Sequence, residues 1–468
     1  MWSHLALVAG EVISKMAAAE DVARVEHKAP GPKGLPLVGS LFDMGRDALG
    51  FFESLAREHG DVAAFRVGNF PAVLVSHPDP IEQVLVKQHD KYHKNKLAWR
   101  QVKAVMGEGV FVSEGEDWLR KRKMGAPAFA TLPLEGYAPD MIALTESYIA
   151  TWKDGQEFDI HQGSMALGLL IAAKTLFGVD ASDDLEPMEK AAYWIMDEVA
   201  ARFARPFFLP DYVPIPGHIR YNRGIKYINQ LMYRIIAEER GGQAEARTFL
   251  RRLMDARDDN GRPMTDRQLR DEVCNMLVAG YETTALSISY GFHFLGQDRD
   301  LQDRIAAEVR SVAGDRPLTH ADLANMPLTE WTAIESMRLL PPGWAIGRES
   351  IEDVEIDGYA FPKGTTVALS PWVTQRDPRF FDDPLTFRPE RWSGDLRRRL
   401  PRFAYFPFGG GPRICMGSRF ALMEAMLLLG TIVRRFDIER LTEKPLTLMP
   451  SVTLRPSSGV WVRLNARD

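Results

Sequence analysis

Between Phe406 and Met426 the chain reads FPFGGGPRICMGSRFALMEAM, and no other stretch constrains the fold as strongly. Gly409, Gly410, Gly411 and Pro412 form a loop, because glycine loses the most backbone freedom on ordering and proline lacks an N–H. Soon after, Leu427, Leu428, Leu429, Ile432 and Val433 mark a long apolar helix. Cys415 therefore stands where a glycine loop meets a helix start. The amino terminus of a helix presents unpaired N–H groups and the positive end of the dipole. Both favour a thiolate over a thiol at that place. Gly417, two residues on, joins the upstream glycines in letting the backbone approach a flat partner closely. Arg413 adds a fixed positive charge suited to a carboxylate.

Together these residues describe a thiolate set against a planar, carboxylate-bearing metal cofactor, and haem with a cysteine axial ligand fits that description. The plain alternative for a lone cysteine is a small buried hydrophobe. A phosphate cradle fails, because no Lys-Ser or Lys-Thr follows the glycines. The only other cysteine among 468 residues is Cys274. Two thiols exclude a disulfide scaffold and a self-sufficient four-ligand zinc site, and they suit a reducing cytoplasm. A net charge of −5 gives no basic field and argues against nucleic acid as a partner.

At the amino terminus, Leu5, Val8, Val12 and Met16 recur at helical spacing, but Glu11 and Lys15 interrupt the apolar run. A spanning helix needs about 20 consecutive apolar residues, so no transmembrane anchor is expected there. Residues 1–29 read either as a tail, even one preceding a natural start at Met16, or as a short amphipathic helix with weak membrane association. Pro30, Pro32, Gly34 and Pro36 then give a stiff entry into the fold. Val62, Phe65, Val67 and Val73 to Val75 predict two strands with a turn near Gly68 and Asn69. From about Pro78 to Arg338 the pattern is mainly helical, including DPIEQVLVKQ, LGLLIAAKTLFG and Arg223 to Glu239. Thr265 and Gln268 form a capping-box start for a helix reaching about Gln297. Strands return at about 354–370. No internal repeat or linker divides the chain. Residues 30–468 read as one domain, mainly α, with a smaller β-rich part built from separated segments.

FGGGPRICMG resembles the cysteine-ligand signature of the cytochrome P-450 superfamily, the haem-thiolate monooxygenases, with Phe408, Gly411, Arg413, Cys415 and Gly417 at its motif positions. The resemblance runs from about Gly31 to the carboxy terminus and implies that superfamily's fold, with a long central helix over haem. It implies haem b, with Cys415 as the iron ligand and Phe408, Gly409 and Arg413 beside it. Glu335 and Arg338 in AIESMR, with Arg391 in FRPERW, match the family's buried charge network. AGYETTA at 279–285 matches the oxygen-activation groove. There Ala279 and Gly280 would face oxygen, with Glu282 and Thr283 as the acid and alcohol of proton delivery and Thr284 as the neighbouring hydroxyl. Gly280 alone costs a helix about 1 kcal/mol relative to Ala, so something must compensate. Trp118, Arg122 and Arg348 match the family's propionate-binding positions. Gln375 departs from the pattern, since relatives often carry His there.

By the same resemblance the chain inserts one oxygen atom from O2 into a hydrophobic small molecule by hydroxylation or epoxidation. Fatty acids, terpenoids, steroids and polyketides all remain open as substrates. The pocket is expected near Leu97 to Phe111, Phe203 to Val213, Val278 to Leu286, Gly343 to Ile346 and Ser451 to Leu454, with Trp99, Phe207 and Trp344 among its residues. Arg202 or Arg205 is a candidate for holding a substrate carboxylate, although plain surface charge is the simpler reading. No flavin or dinucleotide fingerprint occurs and no reductase-sized segment follows Asp468, so NAD(P)H is expected to act only through a separate redox partner. The basic residues Arg120 to Lys123, Arg397 to Arg399, Arg402, Arg413 and Arg419 suggest a ferredoxin or flavodoxin-type partner docking by charge. Two other readings keep the cysteine: a peroxide-using or rearranging enzyme, which commonly lacks the acid–alcohol pair, and a haem-binding sensor or carrier.

Overall fold

A computed structural model describes residues 29–204, 213–242 and 248–467. The expectations for the amino-terminal segment, Leu97, Arg202, Phe203, Arg205 and Phe207 lie outside the described residues and side chains.

In chain order the main elements start with helix α1 (Ala48–His59) and strands β1 (Val62–Val67), β2 (Phe70–Val75) and β3 (Tyr92–His93). Helices α2 (Lys96–Met106), α3 (Gly115–Gly125) and α4 (Thr131–Ile149) precede strand β4 (Gln156–Asp159). Next come α5 (Ile160–Phe177), α6 (Leu185–Ala204), α7 (Pro216–Gly241), α8 (Asp266–Leu295), α9 (Arg299–Ala313) and α10 (Pro327–Leu339). Strands β5 (Ile346–Ser350), β6 (Val354–Ile356), β7 (Tyr359–Phe361) and β8 (Thr366–Leu369) follow. Helix α11 (Ser418–Arg435) and strands β9 (Phe436–Arg440), β10 (Leu448–Pro450), β11 (Leu454–Pro456) and β12 (Trp461–Ala466) close the described chain.

These elements fall into two compact units. The first, from residues up to Lys96, Gly343–Thr386 and Gly394–Cys415, is the strand-rich part expected from separated segments. Its sheet has the order β1-β2-β8-β5-β3. The predicted hairpin forms, with Val62 opposite Val75 and Val67 opposite Phe70. Gly68 takes φ +61°, a left-handed conformation that glycine adopts without steric cost. Strand β2 pairs in parallel with β8, Ala72 opposite Thr366, so a remote segment supplies the neighbour. Val73, Val75, Val367, Leu369, Phe403 and Phe406 form its core.

The second unit, Leu97–Pro342 with Phe387–Ser393 and Met416–Asp468, holds most of the helices together with strands β4 and β9 to β12. Its centre is α8, 30 residues long, which packs on α5, α7, α10 and α11. The capping box read at Thr265 and Gln268 is present in full. The core joins Leu167, Ile171, Met232, Ile288, Phe292, Leu427 and Leu428 from four helices. Each such side chain contributes about 1.5–3 kcal/mol when taken out of water, so packing outweighs propensity in fixing these helices. Two boundaries differ from the sequence reading. Helix α7 starts at Pro216, since proline's missing N–H costs nothing in a first turn. The segment DPIEQVLVKQ is a short α-turn at Pro78–Glu82 that widens into a π-turn at Gln83–Lys87.

Candidate active site

Within the strand-rich unit the glycine loop is a fitted piece. A Cβ on Gly411 would lie 1.9 Å from the Leu85 carbonyl oxygen, and one on Gly410 would lie 2.2 Å from the Phe403 ring. Gly409 and Gly411 also take φ +71° and +68°. No other residue type meets both demands at Gly411. The Cys415 N–H donates to the Phe408 carbonyl at 3.0 Å, which closes the loop. Gln375, the departure from the family pattern, is fully buried and accepts a hydrogen bond from the Phe406 N–H at 3.0 Å. It thus braces the chain just ahead of the loop.

The two cysteines part company. Cys415 is exposed, whereas Cys274 is buried in α8 and burial pushes its thiol up to about 11. A thiol held neutral in that way is inert packing.

In the helical unit, residues 269–277 and 284–293 of α8 are buried throughout. Between them Val278, Ala279, Gly280 and Thr283 are only partly buried. Ala279, Gly280 and Thr283 share one helix face, which the described residues cover only in part. A Cβ on Gly280 would meet only Leu176 Cδ1, at an ordinary 3.6 Å. Packing among the described residues therefore does not require glycine there. The helix runs unbroken through AGYETTA. The Thr283, Thr284 and Ser287 hydroxyls donate to the carbonyls of Ala279, Gly280 and Thr283 at 2.7, 2.9 and 3.0 Å. Such back-bonding satisfies a buried hydroxyl and competes with the helix's own hydrogen bonds.

Glu282 points elsewhere. Its Oε1 accepts from the Thr453 hydroxyl at 2.5 Å and from Arg455 Nε at 2.6 Å, both at the β10–β11 hairpin. The sequence reading placed Thr453 only among the expected pocket residues Ser451 to Leu454 and missed Arg455, which lies in no recognisable motif.

The charge network is complete within the helical unit. Glu335 and Arg338 are both wholly buried and meet through two bonds, of 2.9 and 2.8 Å. Arg391 Nε reaches Glu335 Oε1 at 2.8 Å. The Trp392 indole N–H and the Arg388 backbone N–H add bonds of 2.8 and 3.1 Å to the same carboxylate, two donors the motif did not announce.

A Cytochrome P-450 family model matches residues 29–462. The chain belongs to the cytochrome P-450 family.

A Streptomyces melanosporofaciens protein named cyclooctat-9-en-7-ol 5-monooxygenase is 32% identical, covering 87% of this chain and 88% of its own length. The pentalenene oxygenase of Streptomyces avermitilis is 29% identical over 92% of this chain and 94% of its own. Retinoic-acid-bound cyanobacterial CYP120A1 superposes with a TM-score of 0.83 at 26% identity, covering 94% of this chain and 99% of its own. This protein is thus a cytochrome P-450 monooxygenase with the mainly α family fold and haem as its cofactor.

The remaining expected residues of this cytochrome P-450 are placed unit by unit. Trp118 and Arg122 are half-buried one turn apart on α3. Arg348 is half-buried on β5, donating through Nη1 to the Gly347 carbonyl at 2.9 Å. The basic cluster is less bare than its sequence implies. Lys121 is buried, with its ammonium on Asp117 and the Glu108 carbonyl. Arg120, Lys123, Arg399 and Arg402 pair with Asp117, Asp259, Asp395 and Glu82 at 2.9, 3.0, 2.7 and 3.2 Å. Among the described residues no helix is long and apolar enough to cross a membrane.

Proposed function

We propose that this cytochrome P-450 hydroxylates or epoxidises a cyclic terpenoid or a similarly apolar molecule, with electrons from a separate redox protein. Its main support is the partly buried face of Ala279, Gly280 and Thr283 between two wholly buried stretches of α8. The two Streptomyces relatives, named for cyclooctat-9-en-7-ol and pentalenene, point to terpenoids.

In this reading Cys415 would ligate the iron, with Phe408, Gly409 and Arg413 beside the cofactor. Trp118, Arg122 and Arg348 hold its propionates. When bound, haem supplies oxygen activation at its iron. The chain's own part is proton handling. Thr283 Oγ1 donates to the Ala279 carbonyl, so its lone pairs can accept from a water on that face. Thr283 thereby holds and orients that water as a proton donor. Glu282 has Thr453 and Arg455 on Oε1, which leaves Oε2 to accept a hydrogen bond from water. A peroxide-using enzyme has no need of that acid and alcohol. Electrons come from NAD(P)H through a ferredoxin or flavodoxin-type system. A reducing cytoplasm would keep Cys415 free to ligate.

The test is a binding screen read by the haem spin-state shift. Cyclic sesquiterpenes and diterpene alcohols should shift the Soret band, with conversion to oxygenated products on adding NADPH, ferredoxin reductase and ferredoxin. Turnover of straight-chain fatty acids alone would overturn the terpenoid assignment.

A further inference from the structure

The first turns of α8 make a set of contacts that oxygen chemistry does not use. Asp271, Glu272 and Asn275 are buried and accept from the backbone of the segment that follows α2. The Glu108 N–H donates to Asp271 Oδ2 at 3.0 Å, the Val110 N–H to Glu272 Oε2 at 3.2 Å, and the Phe111 N–H to Asn275 Oδ1 at 3.0 Å. In the other direction, Asn275 Nδ2 reaches the Met106 carbonyl at 2.8 Å and Arg270 Nη2 reaches that of Val105 at 3.0 Å. These bonds hold residues 105–111 to the helix almost residue by residue. Two glycines permit the approach. A Cβ on Gly107 would stand 2.0 Å from Asp271 Oδ1, and one on Gly109 would stand 2.4 Å from the Asn275 amide. At the end of the segment, Phe111 packs edge-on against Trp99 of α2, with ring centroids 4.9 Å apart.

We propose that Asp271, Glu272 and Asn275 are positioning residues, a clasp through which α8 sets the place of α2 and of the Trp99–Phe111 pair. The clasp thereby determines which apolar ligands are admitted and how quickly. The second half of this inference rests on the reading that Leu97 to Phe111 line the pocket; the clasp itself does not.

The clasp has one loose member. Glu272 Oε1 is buried and makes no hydrogen bond. Burial raises this carboxyl to about 7, with Asp117 of α3 and neighbouring Asp271 adding to the rise, while the Val110 N–H and Lys121 of α3 oppose it. Arg270 beside it is bound to Asp271 at 2.9 Å, and Glu108 on the clasped segment pairs with Lys103 at 2.7 Å. Closed, the clasp holds the proton more tightly than when open to water. Its closure is therefore firmest below about 4.5, loses strength as pH rises to about 7, and is constant above that. Within this window the open fraction rises up to tenfold per pH unit.

The test is hydrogen–deuterium exchange on the full-length holoenzyme, corrected for intrinsic rates, at pH 5.5 and 8. Wild type should show at least fivefold faster exchange at residues 105–111 at the higher pH, and Glu272→Gln should abolish that difference. Asn275→Ala should speed exchange there about tenfold at both pH values without changing peptides from α10. In stopped flow, Asn275→Ala should also raise the association rate of 4-phenylimidazole severalfold more than that of imidazole. Unchanged exchange in both variants would overturn the clasp. Altered exchange with the same 4-phenylimidazole to imidazole ratio would overturn its role in admission. Exchange does not depend on how the iron is ligated, and the carbon monoxide spectrum judges haem ligation separately, so either reading can fail alone.

Discussion

Glu282 on α8 and Arg455 on β11 share a charged hydrogen bond of 2.6 Å, with the Thr453 hydroxyl on the same carboxylate oxygen at 2.5 Å. The acid assigned to proton delivery is therefore tethered to the β10–β11 hairpin. Arg455→Gln removes the cation and lets the carboxylate wander, so the fraction of electrons ending in product should fall several-fold. The solvent isotope effect on turnover should rise, because proton delivery becomes slower. Arg455→Lys restores charge without the planar fork and should recover part of the loss. Product and peroxide yields per NADPH check this; equal yields in all three forms would refute the tether's role.

Thr283→Ala keeps the helix and removes the hydroxyl on the partly buried face of α8. Positioned proton transfer is worth about 10²–10⁴ in rate, so coupled product formation should fall about a hundredfold while electron uptake continues as peroxide. Thr284→Ala, at a buried neighbour whose hydroxyl is bonded to Gly280, should change coupling far less. Product analysis beside oxygen and peroxide electrodes distinguishes the two.

Glu335 takes bonds from Arg338, Arg391, Trp392 and the Arg388 N–H in a region closed to water. Arg338→Met leaves that carboxylate short of its main partner. Stranding a buried charge costs about 3–5 kcal/mol, enough to lower yield and release haem. Urea unfolding of the purified variant should show a matching loss, and a loss below about 1 kcal/mol would mean the network is not structural.

Glu424 lies fully buried on α11, its Oε1 without a partner, and burial alone holds its carboxyl well above the usual carboxylate range. The folded form keeps the proton and the unfolded form releases it, so stability falls as pH rises above the ordinary carboxylate value near 4.5. One such group contributes a slope of at most about 1.4 kcal/mol per pH unit. Glu424→Gln should be more stable than wild type at pH 8, with little difference at pH 4.5, in urea midpoints measured at both. The opposite order would contradict the buried-acid account.

The sequence was legible where chemistry is local. The Cys415 loop, the β1–β2 hairpin, the capping box at Thr265 and the Glu335–Arg338 pair each follow from residues a few positions apart. What stayed hidden depends on remote partners. Arg455 gives no sign of reaching Glu282, and Lys121 reads as a surface base although Asp117 and the Glu108 carbonyl draw it inside. Gln375 looks like a defect in a motif until its bond to the Phe406 N–H is seen. Nothing local marks Glu424 either: residues 423–427 of α11 are all buried, so the carboxyl is enclosed from every side. Gly280 is the mixed case: its cost is legible from residue type and its place in a groove only from the resemblance, whereas the partial burial of Ala279, Gly280 and Thr283 is seen only in the fold.

Cys415, and not Cys274 or any histidine, is the residue proposed to ligate the iron as a thiolate. The reduced, carbon-monoxide-bound absorption spectrum tests it most directly. Wild type should give the strongly red-shifted Soret band of a thiolate-ligated haem, and Cys274→Ser should keep it. Cys415→His should replace it with the band of histidine ligation. A histidine-type band in wild type, or a red-shifted band surviving in Cys415→His, would contradict the account.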